Sequence, residues 1–422
     1  MVNKITLKEV STLITKGTTP TTVGGGFVNK GINFIKSESI TGSKYLDNKV
    51  YEHIDEQTDE KLKRSRLKEG DLLFSIAGAY LGKIGIVRES DLPANTNQAA
   101  GIVRLDKSKV NIDYLYYYFS QKSINKYINK LSSQSSQPNL NLELLGSLEF
   151  DLKNIDVQGN ISKVLSALDS KIEVNNQINA ELESMAKTIY DYWFIQFNFP
   201  DKNGRPYKSS GGKMVWNVDL KREIPEDWKK GVLSDIGDIV GGSTPSRDSS
   251  EYFDSNGTPW ITPKDLSLNE GNKFIRRGEN CVSLEGIKAA SLEVMPSGTV
   301  LLSSRAPIGY MAISLEQVTT NQGFKSFIPI KGYSTPYVYY TVKNSLPIII
   351  NNASGSTFKE ISGSVLKTIP ISLPPSKVTE EYTQLIDPIY SLQSKLETEN
   401  KSLSELRDWL LPMLMNGQVK VN

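Results

Sequence analysis

His53 is the only histidine of this 422-residue chain, and Cys281 is its only cysteine. Both counts limit chemistry. A Ser-His-Asp triad, a Cys-His pair or a multi-histidine metal site must be built around one residue or be absent. His53 lies in the charged stretch 51–60, which predicts a surface position. No G-x-x-x-x-G-K-[ST] loop is present to cradle a phosphate. Gly24-Gly25-Gly26 and Gly241-Gly242 lack G-x-G-x-x-G spacing and read as turn glycines. Leu373-Pro374-Pro375-Ser376 approaches the Asn-Pro-Pro-aromatic motif that amino-methyltransferases set against a flipped base, but the Asn is missing. With 47 carboxylates in the chain, acidic pairs carry no signal. The residues therefore show no enzyme signature, and neither a cysteine zinc site nor a multi-histidine metal site can be built from them. A nuclease with an unrecognised acidic site stands as a minor alternative.

Hydrophobic residues make up 38% and charged residues 23%, so the chain is expected to fold rather than stay disordered. Its length predicts two or more domains. A net charge of +2 argues against a strongly basic nucleic-acid coat and leaves local patches to do any binding. The lone cysteine fits a reducing compartment. The first ten residues hold no apolar signal core, and no apolar run approaches membrane length. Together these predict a cytoplasmic protein with no membrane contact.

The longest regular pattern runs from Gln158 to Phe194. Apolar residues recur there at alternating steps of four and three: Ile161, Leu165, Leu168, Ile172, Leu182, Ala186, Ile189 and Trp193. That alternation is the mark of a coiled-coil seam. Asn175 and Asn179 fall on it, and polar seam residues fix register. At 1.5 Å per residue the helix would be roughly 50 Å long. A second seam closes the chain: Leu385, Ile389, Leu392, Leu396, Leu403, Leu406, Leu410 and Met413. Aligning Leu182 with Leu403 also aligns Ile189 with Leu410, so the second helix reads as a copy of the first. Two amphipathic helices of an ordinary bundle are the plainer reading. The length of the alternation favours a pair.

What precedes each helix is also duplicated, at an offset of roughly 225 residues. Gly17-Thr18-Thr19-Pro20 matches Gly242-Ser243-Thr244-Pro245. Phe34-Ile35-Lys36 matches Trp260-Ile261-Thr262. The stretch from Gly70 to Ser75 matches that from Gly298 to Ser303, each reading as a turn into a buried strand. Thr96-Asn97-Gln98 matches Thr320-Asn321-Gln322, and Tyr114-Leu115-Tyr116-Tyr117 matches Tyr337-Val338-Tyr339-Tyr340. The expected fold is α+β: two similar mixed domains, each followed by a long helix, with the helices forming a coiled-coil pair. The expected boundaries are 1–155 and 227–378 for the domains, 156–197 and 379–418 for the helices, and 198–226 for a flexible linker rich in Gly and Ser.

These features together resemble the specificity subunit of Type I restriction-modification systems over the whole chain. The most specific stretches are Leu168-Asp169-Ser170-Lys171-Ile172, Asp191-Tyr192-Trp193-Phe194, Glu223-Ile224-Pro225-Glu226-Asp227-Trp228, and 403–417. The resemblance implies that each globular repeat is a target-recognition domain reading one half of a bipartite duplex DNA sequence. It implies that the helices pair as an antiparallel coiled coil about a pseudo-two-fold, act as a ruler and dock two methyltransferase subunits, with restriction subunits joining that complex. S-adenosylmethionine, ATP and Mg would then belong to those partners, for adenine-N6 methylation and DNA cleavage, and this chain would catalyse nothing. A duplicated reader facing successive turns of a duplex, about 34 Å apart, agrees with that picture. A coiled-coil scaffold whose domains bind protein is the alternative.

Under that resemblance, contacts are expected from the loops after the strands. In the first domain these are Ser75, Tyr80 and Lys83; in the second, Ser303, Ser304 and Arg305. Arg305 could bond a guanine edge twice or pair with an acidic neighbour. Lys36 and Lys264 follow matched strands. Gln137, Ser356 and Lys359 lie in polar loops before each final strand. The basic run Lys61, Lys63, Arg64, Arg66, Lys68 and the group Lys273, Arg276, Arg277 could meet phosphates or be solvated faces. Gln98 and Gln322 recur in both copies. Glutamine can read adenine, but two domains reading different sequences would not share a base reader, so identity favours a structural role. The repeated tyrosines, Tyr114 and Tyr116–Tyr118 in the first copy, sit at helical spacing and are expected in the core.

Overall fold

The computed structural model describes residues 3–78, 81–132, 139–246, 248–330, 332–355 and 359–421. It divides into two units, 1–173 with 401–422, and 174–400. This differs from the expected boundaries. The long helices are not separate bodies, because each unit takes a stretch of both.

In the first unit a four-stranded antiparallel sheet runs in the order Ser11–Lys16, Ala100–Leu105, Leu72–Ser75, Ile84–Ile86. Leu72, Phe74 and Val103 put one face of that sheet on a core that also takes Tyr114, Tyr117 and Phe119. The tyrosines of the helix Ile112–Ser120 are thus packing residues, as their spacing predicts. Asn111 starts that helix by accepting the Tyr114 N–H. A smaller sheet sets Ile32–Ile35 between Glu52–Ile54 and Ala94–Thr96, the latter pair parallel. His53 lies half-buried on its edge strand.

The second unit repeats this topology. Gly237–Gly241, Lys325–Pro329, Val300–Ser304 and Ile308–Ser314 form the matching run, extended by Phe274–Ile275. Its smaller sheet sets Phe253–Ile261 between Asn280–Val282 and Thr319–Thr320, again with one parallel pair. The internal repeat is therefore a repeat of strand order, not of sequence alone. The stretch expected to be a flexible linker is folded. Met214–Asn217 and Arg222–Pro225 form a hairpin, and Trp228 stacks on Phe199 with Phe197 edge-on. Aromatic residues spaced through the Gly and Ser supply the core that a true linker lacks.

The long helices are Ile155–Tyr190 and Ser376–Met415. Within the second unit they pass antiparallel: Asn175 donates to Glu399 and Asn400, while Gln393 donates to the Asn179 carbonyl. Within the first unit Ile161 and Leu165 share a core with Leu411 and Leu414, and Arg407 donates to Asp169. Of the expected seam residues, Leu396 is buried, and Leu168, Ile172, Leu182, Ile189, Leu403 and Leu410 are half-buried. Leu385, Leu392 and Leu406 lie outside the seam, at 47%, 43% and 43% exposure. The closing helix instead turns Tyr382, Ile386, Gln393, Leu396, Asn400 and Leu403 inward. Reading only apolar residues displaced the seam, because polar side chains hold part of it.

Asn175 is fully buried, and its Oδ1 has no hydrogen-bond partner. An unsatisfied buried acceptor costs stability. Replacing Asn175 and Asn400 together by leucine is expected to raise stability by about 1 kcal/mol, since exposed Asn176 and Glu399 can turn to water. Thermal unfolding checks this; a lowered Tm in the double variant would show that the amide cluster is net stabilising.

Candidate nucleic-acid interface

In the first unit the parallel strands end side by side, with Ile35 opposite Thr96. Three further loops are fastened to that edge by backbone bonds. Thr18 N–H donates to the Thr96 carbonyl at 3.1 Å, bringing in the Gly17–Pro20 turn. Ile76 N–H donates to the Ala99 carbonyl at 2.9 Å, and Leu140 N–H to the Ile76 carbonyl at 2.9 Å. The second unit repeats these bonds. Ile261 stands opposite Thr320, and Ser243 N–H donates to the Thr320 carbonyl at 3.0 Å. Ser304 N–H donates to the Gly323 carbonyl at 2.7 Å, and Ile361 N–H to the Ser304 carbonyl at 3.0 Å. Each unit thus gathers loops distant in sequence onto one rim of a rigid sheet. Such a rim lets side chains vary without disturbing the scaffold.

The expected contact residues divide on this rim. Arg305 is the best placed: its Nε lies 3.7 Å from where a Cβ on Gly323 would stand. Its guanidinium reaches Glu360 only loosely, at 3.8 Å, and the side chain is 37% exposed. Lys359, next in the chain to Glu360, is exposed. Lys264 is exposed and paired with Glu279 at 2.6 Å. Lys36 already has company, with Glu52 at 2.7 Å and the Phe27 ring beneath it. Lys83 is half-buried beside Gly42. The three serines are corrections. Ser75, Ser303 and Ser304 are fully buried, because they end strands inside the sheet. Ser303 donates to the Pro307 carbonyl and accepts the Tyr310 N–H, so its hydroxyl is spent internally. Tyr80, Gln137 and Ser356 lie outside the described residues.

Two basic groups also change meaning. Arg66 is held by Asp59 and Glu60, and Lys63 by Glu60, acids just upstream of the run. Arg276 and Arg277 both face Glu316. Lys273 is not a surface residue: it is 5% exposed and bonded to Glu183 of the first long helix and Gln393 of the closing one. Burial pulls its ammonium below the usual lysine value, against the pull of Glu183. Glu183 also accepts from Tyr340 and Lys343, both at 2.9 Å. In the first unit the matching tyrosine, Tyr117, donates to Asp169, which also binds Arg407 at 2.8 Å. Lys44 there bonds Ser166 at 2.8 Å and Asp113 at 3.0 Å. Each unit therefore clamps its domain to the helices through polar side chains, Lys273 buried and Lys44, Asp169, Glu183 and Arg407 half-buried. The recurring tyrosines were the available signal; which charges they meet was not readable.

The described residues hold no group of three or more His, Cys, Asp or Glu that could bind a metal ion. No helix among them is long and apolar enough to cross a membrane. What the two rims offer is hydrogen-bonding and cationic side chains on rigid sheets, the equipment of a recognition protein. The chain belongs to the Type I restriction modification DNA specificity domain family, whose model matches residues 2–184 and 225–406, one copy on each repeat. It is a non-catalytic specificity subunit that recognises DNA. The Type I restriction enzyme MjaIX specificity subunit of Methanocaldococcus jannaschii is 38% identical over 200 residues, so the match spans less than half of that relative, 46% of each chain. The Type I restriction enzyme HindI specificity subunit of Haemophilus influenzae is 22% identical over 92% of this chain and 94% of its own. The fold is also that of a Type-I restriction-modification system S subunit from M. genitalium, with a TM-score of 0.57, 15% identity, and 98% and 96% of the chains covered.

Proposed function

We propose that the chain reads a bipartite duplex sequence, one half-site per recognition domain, with the helix pair setting the unread gap. The same helices dock two methyltransferase subunits, and restriction subunits join to cut DNA. S-adenosylmethionine, ATP and Mg act on those partners, in the cytoplasm, and this chain supplies recognition alone for adenine-N6 methylation. The observation that carries the reading is the duplicated rim: the same loops, fastened by the same backbone bonds, carry different side chains in the two units. Ala77 stands in one where Arg305 stands in the other. Identical scaffolds with divergent tips suit two half-sites of different sequence.

Docking is supported by apolar residues left outside the seam. Ile178 and Met185 lie one heptad apart on the first helix, Tyr192 follows one heptad on in the π-helical turn Asp191–Ile195, and all three are exposed, as are Leu385 and Leu392 on the closing helix. Exposed stripes of this kind mark protein interfaces. Methylation mapping at single-base resolution tests the whole reading. The chain would be co-expressed with its companion methyltransferase in a host lacking such systems. A split motif with N6-methyladenine in each half is expected. A stable complex that leaves DNA unmethylated and shows no salt-dependent DNA affinity would favour the protein-binding scaffold instead.

A further inference from the structure

We infer that Thr19 with Gln98, and Thr244 with Gln322, form matched grips on the sugar-phosphate backbone of each half-site. This rests on the recognition reading above and assigns, within each rim, which side chains hold the duplex and which read it.

Each pair is the same object twice. The Thr19 hydroxyl donates to the Gln98 carboxamide oxygen, and the Thr244 hydroxyl to that of Gln322. Gln98 and Gln322 are both exposed. Sequence identity across the repeat suggested a structural tie, but the loops do not need one. Thr18 and Ser243 already fasten them through backbone bonds of 3.1 and 3.0 Å. Gly17 and Gly242 press so closely on the Thr96 and Thr320 carbonyls that a Cβ at either would collide. Asn97 and Asn321 shape the following turns, each accepting the N–H two residues on. With the loops secured without them, two exposed carboxamides keep one position, one partner and one residue type.

The position says what they meet. Ala99, next after Gln98, is bonded to Ile76 at 2.9 Å; Gly323, next after Gln322, is bonded to Ser304 at 2.7 Å. The shared pairs therefore lie beside the tips that diverge between units. Two half-sites of different sequence have the sugar-phosphate backbone in common. Neutral amide donors are ordinary backbone contacts, and they set register without reading bases. Each carboxamide accepts from its threonine through oxygen and leaves its NH2 without a protein partner among the described residues, a donor for a phosphate oxygen.

Substitution by glutamate separates the grip from a tie. A carboxylate at 98 and 322 still accepts the threonine hydroxyl, so a structural role survives, but it repels a phosphate. The test uses the full chain assembled with its companion methyltransferase subunits. It measures binding to a duplex carrying the mapped motif and to a scrambled duplex. Q98E/Q322E is expected to weaken both equally, by about tenfold or more, and Q98A/Q322A by severalfold. Assembly, Tm and the methylated motif should stay as in the wild type. Wild-type affinity in Q98E/Q322E would overturn the inference. So would a changed motif, which would make the glutamines base readers, or lost assembly, which would make them a protein surface. If the wild-type complex binds neither duplex, the recognition reading itself fails and takes this inference with it.

Discussion

Replacing Glu183 by alanine is expected to cost the second unit about 3 kcal/mol of stability. The reason is Lys273. Its side chain is only 5% exposed, and among the described residues Glu183 is the carboxylate that pairs with its ammonium, at 2.5 Å, while Glu397 is bonded to the backbone N–H groups of Lys273 and Phe274. Without that carboxylate the ammonium keeps the Gln393 oxygen and the Tyr390 ring, which do not neutralise it. Stranding a buried charge is far more damaging than removing both charges. The double variant E183Q/K273M is therefore expected to recover most of the loss. Denaturant unfolding of both variants decides the matter, and equal losses would mean that packing, not charge, is at work.

The same cluster gives a pH dependence with a definite sign. Burial pushes the Glu183 carboxyl up, but Lys273 and Lys343 outweigh it and hold it below the ordinary 4.5. A lowered folded-state value adds stability above the unfolded value, and that stability is lost as pH falls through the folded one. Glu397 runs the other way. Burial raises it despite the N–H groups of Lys273 and Phe274, so its contribution is present at acid pH and lost as pH rises. The Tm gap between wild type and E183Q should therefore narrow as pH drops below 4.5. A gap that stays constant would remove the carboxylate from the account.

The glutamate clamp also marks where sequence reading stops. Helices and duplication were legible because they rest on periodicity and on repeated short motifs, whereas the strand order came only with the coordinates. Leu72 to Ser75 and Val300 to Ser304 could be placed from their turn glycines and apolar runs alone. Polar burial was not legible. Lys273 looks like one more surface cation until the helices supply Glu183 and Gln393, which are about 90 and 120 residues away. Leu385 and Leu392 looked like seam residues because Gln393 and Asn400, which do turn inward, are polar. Ser303 failed as a contact for the converse reason. Hydroxyl chemistry suggested a ligand, while strand alternation aimed the side chain into the sheet. Pattern reads what hydrophobicity decides; side chains whose burial depends on a distant partner need coordinates.

Reversing Arg305 to glutamate should lower affinity for the motif-bearing duplex by about a hundredfold and confine the damage to one half-site. Arg305 is less firmly engaged than the two candidate lysines. Lys264 has Glu279 at 2.6 Å, and Lys36 has Glu52 at 2.7 Å, whereas Arg305 reaches Glu360 only at 3.8 Å. A guanidinium held loosely can leave its acid for a guanine edge, to which it can donate two bonds. Charge reversal removes those bonds and adds repulsion from the nearest phosphates. Because the Ala77 loop takes the matching place in the first unit, the other half-site should keep its bases. Methylation mapping of R305E separates the possibilities. Degeneracy in one half, with the other intact, is the expected pattern. Uniform loss across both halves would make Arg305 a phosphate contact, and an unchanged motif would leave it paired with Glu360 as a structural residue.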